Sequence, residues 1–66
     1  MVIPKPHQLR VLQEHAELKQ KTEALRQFFN TAVYEDMAVS DQDDLAEQEE
    51  LMSKYLEVLE RRISKF

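Results

Sequence analysis

Residues 7–30 read HQLRVLQEHAELKQKTEALRQFFN, and residues 41–66 read DQDDLAEQEELMSKYLEVLERRISKF. In the first stretch Val11, His15, Leu18, Thr22, Leu25, Phe29 and, just beyond it, Ala32 recur at alternating steps of four and three. That period keeps them on one side of an α-helix as a heptad seam. Leu9, Leu12, Ala16 and Phe28 widen the stripe on its flank. In the second stretch Leu45, Glu49, Met52, Leu56, Leu59, Ile63 and Phe66 step the same way, and Leu51, Tyr55 and Val58 form a second apolar line beside them. Two long helices with a short connector predict an all-α fold, an antiparallel two-helix hairpin spanning the whole chain as a single domain. At 1.5 Å of rise per residue each helix spans roughly 35–40 Å.

The ends of the elements have their own signals. Pro4 and Pro6 break the start of the chain, and proline suits a first helical turn because its missing N–H would be unbonded there. The first helix is expected over about 7–30, ended by Asn30, the residue suited to a left-handed C-cap in a chain without glycine. Residues 31–39 show no clean period and read as a connector with a continued turn of helix. Ser40, followed by Asp43, is the expected N-cap of a second helix over about 41–66. Pairs in the favourable i,i+4 order are Glu17 with Lys21, Glu50 with Lys54 and Glu57 with Arg61.

Composition narrows the function. The 66 residues carry 9 Lys and Arg against 13 Asp and Glu, a net charge of −4, with no Gly, Cys or Trp. Without glycine there is no phosphate-cradling loop of the P-loop or dinucleotide type. Without cysteine there is no disulfide framework, thiolate nucleophile or Cys-based metal site, and a small disulfide-free domain fits the cytoplasm. Apolar runs fall short of the roughly 18 residues of a membrane span, and Met1–Pro4 is too short for a signal peptide. The acidic balance argues against DNA as a partner. The capped, Met-initiated chain reads as a whole protein. Two helices cannot cover both apolar lines of the second, so the hairpin is expected to assemble with copies of itself into a homo-oligomeric helical bundle.

Catalytic groups are scarce, and neither an enzyme nor a bound cofactor is expected. His7 and His15 are eight apart, too far for zinc pairing along one helix, and His15 lies on the seam. Ser40, Ser53 and Ser64 have no histidine in a suggestive place. An EF-hand loop counted from Asp41 would need glycine where Ala46 stands and glutamate where Met52 stands, so the acids there read as helix-start charges. Eight acids and no Lys or Arg lie between Glu35 and Glu50, whereas Lys5, Arg10, Arg61, Arg62 and Lys65 gather at the other end of the hairpin with His7. Arg61, Arg62 and Lys65 suit a helix C-terminus, but Lys5 and Arg10 oppose the dipole at a helix start and suggest a bound anion. Gln8, His15 and Thr22 put polar groups at one heptad position, which sets register or, less often, lines a cavity.

The order of these features resembles the helical-hairpin domain of bacteriophage cyclic-nucleotide sponges, the anti-CBASS proteins and their anti-Thoeris relatives. The matching residues are Gln8-Leu9-Arg10-Val11, Glu14, Glu17-Leu18, Lys21, Leu25 and Phe28 in the first helix. In the second they are Leu51-Met52, Tyr55, Leu59, Arg61-Arg62-Ile63 and Phe66. The resemblance implies a homohexamer that holds cyclic di- or trinucleotides between protomers and silences an immune effector without cleaving its messenger. It implies Lys21 as a phosphate partner, an aromatic base-stacking position at or next to His7, and Arg10 and Arg62 at a second, larger-ring site. His7 departs from the pattern, since imidazole offers less stacking surface than a larger ring. Without the resemblance, Lys21 reads as the surface partner of Glu17. The rival reading of the whole chain is a helical adaptor or inhibitor docking on a host protein.

Overall fold

Three helices follow one another in a computed structural model that describes residues 3–66: α1 (Pro6–Phe28), α2 (Ala32–Glu35) and α3 (Val39–Ser64). Met1 and Val2, part of the Met1–Pro4 stretch considered above as a signal peptide, lie outside the described residues. The long helices α1 and α3 pack as the expected antiparallel hairpin. His15 of α1 meets Glu60 of α3, and Arg26, nearer the bend, meets Glu49. The hairpin is a rod of 50 × 16 × 14 Å.

Pro6 occupies the first position of α1, and the Gln8 side chain accepts the Lys5 backbone N–H at 2.9 Å. At its other end α1 stops at Phe28, two residues before the expected cap. Among the described residues none has positive φ, so Asn30 is not a left-handed cap. The last turn tightens instead: Asn30 N–H donates to the Gln27 carbonyl and Thr31 N–H to that of Phe28, at 3.1 and 3.0 Å. The Thr31 hydroxyl also donates to the Phe28 carbonyl at 2.7 Å and accepts the Tyr34 N–H at 3.3 Å, which caps α2. Tyr34 then packs on Phe28 and Phe29, with ring centroids 6.0 and 4.9 Å away. This aromatic cluster gives the aperiodic connector its shape.

The helix start expected at Ser40 moves. α3 begins at Val39 with Ala38 as its cap and no side-chain bond to the cap, and Ser40 lies inside the first turn. Gln42 is the reason: its amide donates to the Tyr34 carbonyl at 2.7 Å and ties the first turn of α3 to α2. Asp41 still places a carboxylate in the first turn, and Arg61 and Arg62 occupy the last, both in the sense the helix dipole favours. α3 ends at Ser64 rather than at Phe66.

The seams read from the sequence are the ones that close. Val11 and Thr22 of α1 and Leu56 and Leu59 of α3 are buried, with Leu59 and Thr22 wholly enclosed. Thr22 satisfies its hydroxyl by donating to the Leu18 carbonyl at 2.7 Å. The other two polar residues of its heptad position are also partnered within the hairpin, Gln8 by the α1 start and His15 by Glu60. Of the three, only His15 bonds across the hairpin; Gln8 and Thr22 are satisfied within α1 and its first turn. Each buried aliphatic contributes about 1.5–3 kcal/mol, a small core for a chain of this length. The second line of α3 gains little cover from α1: Leu51, Tyr55 and Val58 remain 59%, 43% and 38% exposed.

Candidate ligand-binding face

His7, Arg10, Glu14, Glu17 and Lys21 step along α1 by three and four, on the flank of the buried seam, and all are exposed. The Tyr55 hydroxyl of α3 donates to the Glu14 carboxylate across the hairpin. This bond sets the α1 flank beside the exposed apolar line of α3. Donating it to the carboxylate raises the Tyr55 pKa above the ordinary phenol value, with burial and the Glu14 charge adding and the Arg62 guanidinium opposing. Arg62, two helical turns on from Tyr55 along α3, lies on the same face.

The four site residues expected from the sequence share this face without forming one cluster. Arg10 and Arg62 lie toward the open end, and His7 lies in the first turn of α1. Lys21 lies eleven residues from Arg10, about 16 Å along the helix. At the open end Ile3, Pro4, Lys5, Gln8 and Phe66 line a groove of about 320 Å³. Phe66, expected on the buried seam, is 48% exposed there, because α3 ends before it. An apolar floor beside Lys5 suits a ring that carries negative charge.

Cation pairing is sparse. Arg26 pairs with Glu49 and Lys54 with Glu50, while the other seven of the nine Lys and Arg lack an ion-pair partner among the described residues. Of the three surface pairs expected, only Glu50 with Lys54 forms, at 3.2 Å. Glu17 accepts a bond from Gln13 at 3.2 Å and is not paired with Lys21, and Glu57 is not paired with Arg61. Surface pairs of this kind are worth tenths of a kcal/mol, so a neighbouring amide displaces them easily.

A polar group on the opposite edge escaped the sequence reading. Arg26 Nε donates to Glu49 at 2.8 Å, its terminal nitrogen donates to Ser53 at 2.7 Å, and the Ser53 hydroxyl donates to Glu49 at 2.7 Å. The Arg26 bond, then that of Ser53, hold the Glu49 carboxyl below its ordinary pKa. A glutamate on an apolar seam was the available signal. Its partner became visible only with the register of the two helices. Among the described residues no group of three His, Asp or Glu could hold a metal, and no helix is long and apolar enough to cross a membrane.

In comparison with known proteins, the family model described as Sequestin matches residues 5–65. That span includes both long helices and the bend. The family name denotes sequestering, a binding role rather than a catalytic one, and it fits the cyclic-nucleotide sponges (anti-CBASS) that the two helices resemble. No curated protein and no solved structure matches the chain.

Proposed function

The chain belongs to the Sequestin family, and on that premise we propose that it binds and sequesters cyclic oligonucleotide second messengers without cleaving them. It works by mass action: an excess of protein lowers the free messenger below the threshold of an immune effector. The setting is the host cytoplasm, the source a bacteriophage, and the working form a homo-oligomer, a hexamer by the resemblance, with ligands held between protomers.

The observation that carries this reading is the face with Arg10, Lys21 and Arg62, none paired with a carboxylate among the described residues, in a chain of net charge −4. A polyanion is repelled by such a chain at long range, so its affinity has to come from a few cations that converge between protomers rather than within one hairpin. Lys21 is assigned to a ligand phosphate, His7 to stacking on a base, and Arg10 and Arg62 to a second site for larger rings. The open-end groove adds the Phe66 ring to the surface available for stacking.

The test is calorimetric titration with a panel of cyclic di- and trinucleotides, followed by denaturation and chromatography of the released ligand. Micromolar or tighter binding and recovery of intact ligand are expected. Lys21→Glu should abolish binding of at least one ligand class while light scattering shows an unchanged particle. Cleaved ligand would refute the non-enzymatic reading. Binding to no member of the panel, with capture of a defined host protein, would replace the sponge by an adaptor.

A further inference from the structure

Arg26, Glu49 and Ser53 lie on the edge of the hairpin opposite the ligand-binding face, and the ligand reading gives them no part. Stability does not explain Glu49. It is the one charged residue of the α3 seam, between Leu45 and Met52, where an aliphatic side chain would contribute more. Its carboxylate accepts from Arg26 Nε at 2.8 Å and from the Ser53 hydroxyl at 2.7 Å. A terminal nitrogen of Arg26 reaches Ser53 as well, at 2.7 Å. Glu49 and Ser53 stand one turn apart on α3, about 6 Å. The rigid guanidinium fork of α1 therefore grips α3 at two levels. Two attachment points fix an orientation, which a single bond does not.

Other contacts constrain that orientation less. The buried core among the described residues is narrow, with Val11 and Thr22 from α1 and Leu56 and Leu59 from α3. Apolar burial is non-directional, so two helices over such a core roll and slide against one another at little cost. Along the edge shared with Arg26, His15 adds one bond of 3.2 Å to the exposed Glu60. The other edge carries the bond from Tyr55 to Glu14. Rolling α3 about the seam closes one edge as it opens the other, so a strap on the first edge sets the spacing across the second.

We propose that Arg26, Glu49 and Ser53 are positioning residues for the ligand-binding face. They hold α3 at the level and roll at which Tyr55 meets Glu14, and at which one hairpin presents Arg10 and Arg62 to a ligand held between protomers. The consequence for ligands rests on the function proposed above; the consequence for the hairpin does not. His7 and Lys21 both belong to α1, so their spacing is indifferent to the strap. Arg10 and Arg62 belong to different helices, so theirs depends on it. The strap thus bears on the site for larger rings and not on the contacts made by α1 alone.

The test replaces the strap by apolar side chains, Arg26→Met together with Glu49→Met. Exchanging an ion pair for apolar groups of similar volume is neutral or stabilising, so helicity and the urea midpoint should be at least those of the wild type. Nuclear Overhauser contacts between the Tyr55 ring and the Glu14 side chain, expected in the wild type, should disappear. The reversed pair, Arg26→Glu with Glu49→Arg, should restore them, and Glu49→Arg alone should not. Cyclic tri-AMP should bind the apolar variant about tenfold more weakly than the wild type, and cyclic di-AMP within about threefold of it. Tyr55 contacts that survive in the apolar variant would overturn the strap, whatever the ligands do. Unfolding of that variant would overturn it too, because the group would then be a source of stability. Lost contacts with unchanged binding of cyclic tri-AMP would overturn its bearing on the ligand face. If the wild type binds neither nucleotide, the proposed function fails, and the Overhauser contacts still decide the strap.

Discussion

Leu59 is the most enclosed aliphatic side chain of the hairpin, at 0% exposure, and Leu59→Ala tests the assignment of its helix face most directly. The substitution removes about three carbons, or about 2.4 kcal/mol at 0.8 kcal/mol per buried methylene. The rod is too thin for other side chains to collapse fully into the gap, so a cavity cost is added, for a total of about 3–5 kcal/mol. A chain of 66 residues has a total stability on the order of 3–10 kcal/mol, so the variant should be partly or wholly unfolded at room temperature. The assay is urea unfolding followed by far-ultraviolet circular dichroism at several protein concentrations. Leu51→Ala, on the exposed line, is the control. It should leave the midpoint within about 0.5 kcal/mol of the wild type, since Leu51 lies on the exposed line and not in the hairpin core. If Leu51→Ala proves costly at every concentration while Leu59→Ala costs less than about 1 kcal/mol, the two faces of α3 have been assigned the wrong way round.

Thr22→Val should change stability by no more than about 1 kcal/mol in the same unfolding assay, because the lost hydroxyl bonds only the Leu18 carbonyl of its own helix. A large loss would mean that Thr22 bonds a group outside the hairpin. The Glu49 carboxyl has a folded pKa below its ordinary 4.5, so its contribution is present above that value and lost as pH falls through the folded one. An acid titration of the urea midpoint should therefore fall below about pH 4.5, and Glu49→Gln should make that slope shallower. The Tyr55 hydroxyl titrates above its ordinary 10.0, so the Glu14 bond is present below that pH and lost above the folded value. Ultraviolet titration should show a late Tyr55 phenol that is lost in Glu14→Ala, which removes the accepting carboxylate.

The two long helices, their antiparallel pairing and the buried seam were legible because one period of 3.6 residues dominates both segments, and only one face of each helix satisfies it. Val11 and Leu59 needed nothing else. Helix ends were less legible. The sequence offered Asn30 and Ser40 as caps, and both were displaced by contacts their neighbours make around the bend. Gln42 bonds Tyr34, and Thr31 closes α1 and opens α2 with one hydroxyl. Such contacts exist only once the bend has formed. Surface charge pairs were read from spacing alone, and Glu17 shows the weakness of that signal, since Gln13 is as near to it as Lys21 along the helix.

By itself, then, the chain determined its class, its core face and the polarity of its charge, all properties of local spacing and composition. Register was decided by tertiary structure. A period places a residue on a face but not at a level opposite a given partner, and a slip of one turn changes every cross-helix pair while leaving both faces intact. Packing chose the level at which Arg26 meets Glu49 and Ser53, His15 meets Glu60, and Tyr55 meets Glu14. Only that choice set Arg10, Lys21 and Arg62 along the face that Leu51, Tyr55 and Val58 leave open.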